Sequence, residues 1–474
     1  MVIPRVQWRQ PDQFKALNDL GPTIKENEFL LGNEEHLAQV LATVGIPTVE
    51  GAKTPKEEAI GLLMLAAEVE HALMVQYLYA SASVVGSLRK TITDIAVEEM
   101  AHLLTVQNLL LALTGREGSS TPFQIHLGRD LLRRQSSFNP LPFTLEKVSK
   151  TTLAKFTVVE KPEKILDQTI REKVEQMEND LIADKIDPNP VFALYAAIRW
   201  IFQPSDAPIG RVSLSVEMGF KPGHHLKAED FADTQTIDRY VSNENEWTAS
   251  ADLIIKKVRN HNEAIEALDD ITEQGEGPAS ADDSDSHFSR FYTAYIDFLE
   301  NGASDVKDLP RTPFVNGQMA PEDPNATRIS ATYAASWARL FNVQYELMLV
   351  DIAYAISRPV ADVRRQAMIS DVCREQMSKV IGVLTKKISE LPLSENSDSF
   401  AGPPYGLDNE LMPQSDSEFL QRYEQLESTS LSAIFEIKQS PTFPDDFLAT
   451  IPLQSIEGVT QKRAEIIQPQ ENII

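Results

Sequence analysis

"TITDIAVEEMAHLLTVQNLLLAL", residues 91–113, decides the fold. Ile92, Ile95, Glu99, His102, Val106, Leu109 and Leu113 recur at alternating spacings of three and four, which is one helical stripe turned toward a core. A carboxylate and an imidazole stand inside that otherwise apolar stripe. An ionised carboxylate buried there is costly unless a cation or donor meets it. The spacing Glu-x-x-His puts both groups on one face, one turn apart, as helical bundles present ligands to a metal. Glu98 also neighbours His102 at i+4, but its own stripe through Thr91 and Thr105 is more polar, so Glu99 is the favoured ligand. The competing reading is an ordinary i,i+3 pair on a partly exposed helix.

The preceding stretch, "AAEVEHALMVQYLYASASVV" (66–85), adds weight to the metal-ligand reading. Leu63, Ala66, Glu70, Leu73, Tyr77, Ala80 and Val84 form a matching stripe, so Glu70 would face Glu99 and His102 across a helical hairpin. Glu68 and His71 fall on other faces and read as supporting groups or a locally satisfied polar patch. Helices are expected over 56–86 and 91–114, joined by the short link "SLRKT".

Further helical patterns run over 166–184, 190–202, 248–275, 327–357, 360–391 and 416–437, with another following the acidic loop "ADDSDS" and a Pro-punctuated tail at the end. The expected architecture is therefore mainly α, with loop-rich insertions between the helices. A three-part division follows, with an N-terminal segment (1–55), a helical domain (56–405) with insertions near 115–165 and 203–247, and a C-terminal helix and tail (406–474).

The formal net charge is -26, from 44 Lys+Arg against 70 Asp+Glu, a field that repels phosphate backbones and anionic membrane surfaces. Neither nucleic acid nor membrane is expected as a partner. A single cysteine, Cys373, leaves any metal site to His and carboxylate, and with no basic-then-apolar leader legible the expected location is cytoplasmic.

A bundle site normally has a second half-set of ligands. Glu375 is followed by Ser378 where an imidazole is needed, so Glu375 and Glu346 read as surface or hydrogen-bonded groups. Better candidates are Glu276, between Gly275 and Gly277, and His287, which heads the stripe His287, Phe291, Ala294 and Phe298 with Ser286 or Asp285 as N-cap. A satisfied core histidine is the competing reading for His287. His36, His126, His224, His225 and His261 read as loop or amphipathic-helix residues, and "PGHHLKAED" as a surface turn with no carboxylate at ligand spacing.

The segments "EHALMVQYLYA" (70–80), "EEMAHLLTVQNLLLAL" (98–113), "LEKVSKTTLAKFTVVEKPE" (145–163), "LYAAI" (194–198), "EQGEG" (273–277), "SHFSRF" (286–291), "FNVQY" (341–345) and "AGPPY" (401–405) resemble, in this order, a ferritin-like family. That family takes in the iminophenyl-pyruvate dimer synthases of bisindole pigment biosynthesis and stand-alone proteins of specialised metabolism. The resemblance runs from about residue 56 to 405 and implies a ferritin-like four-helix bundle core with extra helices, holding a dinuclear site with iron as the expected metal and manganese as the alternative. It implies Glu70, Glu99, His102, Glu276 and His287 as ligands. The eleven-residue separation of Glu276 and His287 departs from a regular second Glu-x-x-His and leaves open an asymmetric or single-metal site. Tyr77 and Tyr195 are weaker candidates beside the cavity, as hydrogen-bond donors or radical relays, against the reading of ordinary core tyrosines.

The leading expectation is an O2-dependent non-haem iron enzyme acting on a small, amino-acid-derived substrate. The alternative is a non-catalytic metal-binding scaffold or partner protein of a biosynthetic enzyme. Neither the substrate nor the oligomeric state is legible.

Overall fold

The computed structural model describes residues 5–9, 41, 45–117, 122–129, 142–162, 165–186, 191–205, 214–247, 253–276, 285–302, 306–317, 321, 323–407, 411–446 and 448–467. Its centre is the hairpin of α1 (Pro55–Ala82) and α2 (Gly86–Thr114). α1 opens on Thr54, whose side chain accepts from the Glu57 amide, with Pro55 in the first turn, where its missing N–H costs nothing. Past that turn α1 is buried on nearly every face, as an all-round apolar helix must be.

The hairpin turn lies at Ser83–Val85, not at the expected "SLRKT", because Gly86 takes a φ of +71° and lets the chain re-enter a helix at once. Ser83 pins the turn: its Oγ accepts from the Val148 amide at 2.9 Å and its carbonyl from the Lys307 amide at 2.7 Å.

Around the hairpin pack α3 (Lys150–Val159), α4 (Gln168–Ala183), α5 (Phe192–Phe202), the short α6 (Thr234–Tyr240) and α7 (Glu244–Trp247), α8 (His261–Glu276) and α9 (His287–Asn301). α9 is capped by Ser286, whose side chain accepts from the Ser289 amide. α3 lies inside the stretch read as an insertion, yet it packs against α9 and belongs to the wall of the bundle.

The helix expected over 248–275 begins only at His261. Residues 253–258 instead run extended against α2. Thr105 Oγ1 donates to the Ile254 carbonyl and accepts from the Lys256 amide, both at 3.1 Å, and Asn108 Nδ2 donates to the Lys256 carbonyl at 2.8 Å. Side chains of α2 thus take the backbone groups a helix would have used.

A second layer of helices follows: α10 (Thr332–Ile356), α11 (Val363–Ala367), two π-turns (Met368–Cys373 and Gln376–Ile381), α12 (Gly382–Ile388), α13 (Asp416–Gln439) and α14 (Thr450–Ile467). α10 starts at Thr332 because Thr327–Arg328 pair as a short strand with Pro313–Phe314. The expected Pro-punctuated tail is helical from Thr450, and Arg463 anchors it. Arg463 and Asp351 of α10 are both fully buried and pair through two contacts of 2.7 Å. Glu346, also buried on α10, pairs with Arg422 of α13 rather than lying at the surface. Glu375 pairs with Lys379 and Lys462. Two strands, Val6–Arg9 and Ile46–Val49, pair antiparallel with Val6 opposite Val49.

Candidate metal centre

Three carboxylates and two imidazoles converge in the core between α1, α2, the end of α3 and the start of α9. Glu70, Glu99 and His102 offer ligand atoms within 4.8 Å of one another, and so do Glu99, Glu160 and His287, all of them buried. Glu99 belongs to both sets. Its Oε2 lies 3.0 Å from His102 Nδ1, and its Oε1 lies 3.0 Å from His287 Nδ1. On the outer sides, Glu70 Oε2 is 3.5 Å from His102 Nδ1, and Glu160 Oε2 is 3.8 Å from His287 Nδ1.

The two halves mirror one another in their support. The Tyr195 hydroxyl donates to Glu70 Oε1, and the Tyr77 hydroxyl donates to Glu160 Oε1, so each outer glutamate keeps Oε2 for the centre. Each histidine turns Nδ1 inward and holds Nε2 away from the centre: His102 Nε2 is 2.9 Å from Gln274 Oε1, and His287 Nε2 is 3.0 Å from Glu98 Oε2. Behind Tyr77, the rings of Phe156 and Phe291 stand at 4.6 and 4.8 Å and close the apolar wall.

The electrostatics show a cluster short of positive charge. Burial raises Glu70 to about 7, offset by its bond to His102 and reinforced by the Glu99 charge. Burial alone would lower His102, but Glu70 and Glu99 outweigh it and hold the imidazole protonated up to about 10. His287 is likewise raised: burial opposes, while Glu99, Glu160 and Glu98 prevail. Glu99 is pushed up by burial and pulled down further by His287, so it stays ionised. Among the described residues no Lys or Arg meets Glu70, Glu99 or Glu160.

Two observations fit a metal here. Glu99 Oε1 and His287 Nδ1, though 3.0 Å apart, have no hydrogen-bond partner of acceptable geometry. Gly275 leaves room beside the second set, since a Cβ there would stand 3.3 Å from Glu160 Oε2. The donor set, imidazole nitrogen with carboxylate oxygen, suits iron and manganese.

Of the residues expected from sequence, Glu70, Glu99, His102 and His287 come together, with Tyr77 and Tyr195 as donors to the outer carboxylates. Glu276 closes α8, and its side chain lies outside the described residues. Glu160 was missed. It continues the Leu153–Phe156 stripe of α3 by one turn, the same signal that identified Glu70 and Glu99, but it sits at the helix C-cap just before "KP". Glu98, set aside for its polar stripe, supports His287. Elsewhere Glu68 meets His126 at 2.7 Å and His71 Nε2 meets the Tyr345 hydroxyl. His224 closes the exposed turn that begins at Lys221, and its ring pairs with the buried Glu58 of α1.

The ferritin-like family model matches residues 63–295, a span containing every residue of this cluster. The helical core is ferritin-like. A curated relative of this ferritin-like chain, the 2-imino-3-(indol-3-yl)propanoate dimerase of Chromobacterium violaceum, is 25% identical over 384 residues, which cover 74% of this chain and 34% of the relative. The chain thus spans about a third of that relative's length. No solved structure gave a significant match. No helix among the described residues is long and apolar enough to cross a membrane.

Proposed function

We propose that this ferritin-like protein is an O2-dependent non-haem oxidase or oxygenase that uses two iron ions to oxidise a small, amino-acid-derived metabolite. The observation that carries the reading is the charge imbalance of the centre. In the second helical layer, buried Glu346 and Asp351 each have an arginine. Among the described residues, Glu70, Glu99 and Glu160 have two imidazoles and two phenols as partners and no arginine or lysine, the pattern expected where divalent cations supply the missing charge.

Glu70 and His102 would hold one ion, Glu160 and His287 the other, with Glu99 shared. Bound iron would supply the redox equivalents for O2 reduction. The chain's own contribution is orientation. Tyr77 and Tyr195 each hold one oxygen of an outer glutamate, the apolar wall of Phe156 and Phe291 keeps bulk water away, and the outward acceptors fix both imidazole tautomers. Glu160 supports two metal positions over the single-metal, non-catalytic scaffold, because it gives Glu99 and His287 a third ligand group.

For the substrate, the relative's name denotes an indole-bearing 2-imino acid. Aromatic amino acids and their imino acids are therefore the class to screen first. The test is anaerobic loading with Fe(II), iron counting and mixing with O2. Near two irons per chain and a transient visible absorption are expected, both removed by Glu99→Ala; absence of bound iron in the unaltered protein contradicts the reading.

A further inference from the structure

Glu98 lies one residue from the shared ligand, on the outer side of the centre, and four contacts end on its carboxylate. His287 Nε2 stands 3.0 Å from Oε2, Gln274 Nε2 stands 3.3 Å from the same oxygen, and the Arg290 guanidinium bonds both oxygens, with Nη1 3.0 Å from Oε1. The guanidinium of Arg290 thus spans both oxygens of Glu98 while His287 and Gln274 add two further donors, the geometry of a carboxylate paired with its counter-ion. An ionised carboxylate only accepts hydrogen bonds. His287 therefore keeps a proton on Nε2, so that Nδ1, which faces Glu99 and Glu160, is the nitrogen that gives up its proton when a metal binds.

The same logic reaches the other histidine by one more step. Because Glu98 only accepts, the Gln274 amide turns its NH2 toward Glu98 and its Oε1 toward His102 Nε2, 2.9 Å away. The amide oxygen in turn requires the proton on His102 Nε2. One carboxylate thus sets two tautomers, directly on α9 and through α8 on α2.

We infer that Glu98 is the positioning residue for both histidines and that it makes the two metal positions unequal, the Glu99–Glu160–His287 position filling first. This rests on the metal-centre reading above. His287 is backed by an anion and His102 by a neutral amide, and an anionic acceptor makes an imidazole the stronger donor. Arg290 orients Glu98 from outside the bundle and touches neither ligand set.

The test is a Co(II) titration of the full-length apoprotein, followed by calorimetry and by the paramagnetically shifted, exchangeable imidazole N–H signals. The unaltered protein should bind in two steps at least about tenfold apart, with the His287 signal shifting first. Glu98→Gln should weaken the first step by about 10–100-fold, the usual range for an outer partner of a ligand, and the second step by less. Gln274→Leu should weaken the second step alone, which keeps the inference testable should Glu98→Gln fail to fold. Two equal steps in the unaltered protein, or both substitutions acting on the same step, overturn the inference while the metal centre stands. No Co(II) bound by the unaltered protein overturns the metal-centre reading itself.

Discussion

Tyr77 donates its phenolic proton to Oε1 of Glu160. Burial, with the Glu160 charge second, pushes the Tyr77 hydroxyl well above its ordinary value, so it stays a donor at any physiological pH. A hydrogen bond to a charged group contributes about 1.5–3 kcal/mol. Tyr77→Phe should therefore keep both metal positions but weaken the one at Glu160 by about tenfold or more. Tyr195→Phe should do the same at Glu70. Metal titration of each variant checks this; complete loss of an ion would mean that the phenol itself is a ligand.

The sharing of Glu99 predicts unequal consequences for the carboxylates. Glu160→Ala should leave one ion per chain, held by Glu70, Glu99 and His102, and Glu70→Ala should leave the other. Glu99→Ala should lose both, since it belongs to each set. Elemental analysis after dialysis, with circular dichroism to verify helix content, distinguishes these outcomes.

Protonation gives a pH signature of opposite sign in apoprotein and loaded protein. His102, raised from 6.5 to about 10, contributes stability that is complete below its unfolded value and lost as pH rises toward about 10. Glu70, raised from 4.5 to about 7, loses stability over the interval between those values. These groups should thus make the apoprotein less stable with rising pH. Metal must displace the His102 proton and, below about 7, the Glu70 proton as well, so affinity for that ion should increase with pH by about tenfold per unit, and more steeply below about 7. Denaturation and metal titrations between pH 6 and 8, chosen as about the range where both effects operate, test the crossing; an affinity independent of pH would argue against imidazole ligation.

Gly275→Ala separates the site from the helix that carries it. Alanine favours a helix by about 1 kcal/mol over glycine. Its Cβ, however, would stand 3.3 Å from Glu160 Oε2. Affinity at the Glu160–His287 position should fall while the apoprotein's melting temperature holds or rises.

In the second layer, Arg463→Met should cost about 3–5 kcal/mol, because Asp351 would be left buried without a cation. Adding Asp351→Leu should recover most of that loss. Urea unfolding of the single and double variants measures it.

The hairpin and its candidate ligands were legible because Glu70, Glu99 and His102 interrupt long, regular stripes, where a polar residue is conspicuous. Glu160 was harder to see, since α3 is short and the residue sits at its cap, where a carboxylate passes for an exposed terminus. Glu98 lies outside both ligand sets, as its polar stripe suggested, but its contact with His287 was not legible, because Gln274 comes from α8 and Arg290 from α9, far along the chain, and only the fold brings them to it. The extended run at 253–258 was read as helix because its partners, Thr105 and Asn108, are likewise distant.

The most direct test of the dinuclear reading is anomalous diffraction at the iron edge from crystals loaded anaerobically with Fe(II). The account predicts two peaks flanking the Glu99 carboxylate, one beside His102 and one beside His287. A single peak, or none between these residues, would contradict it.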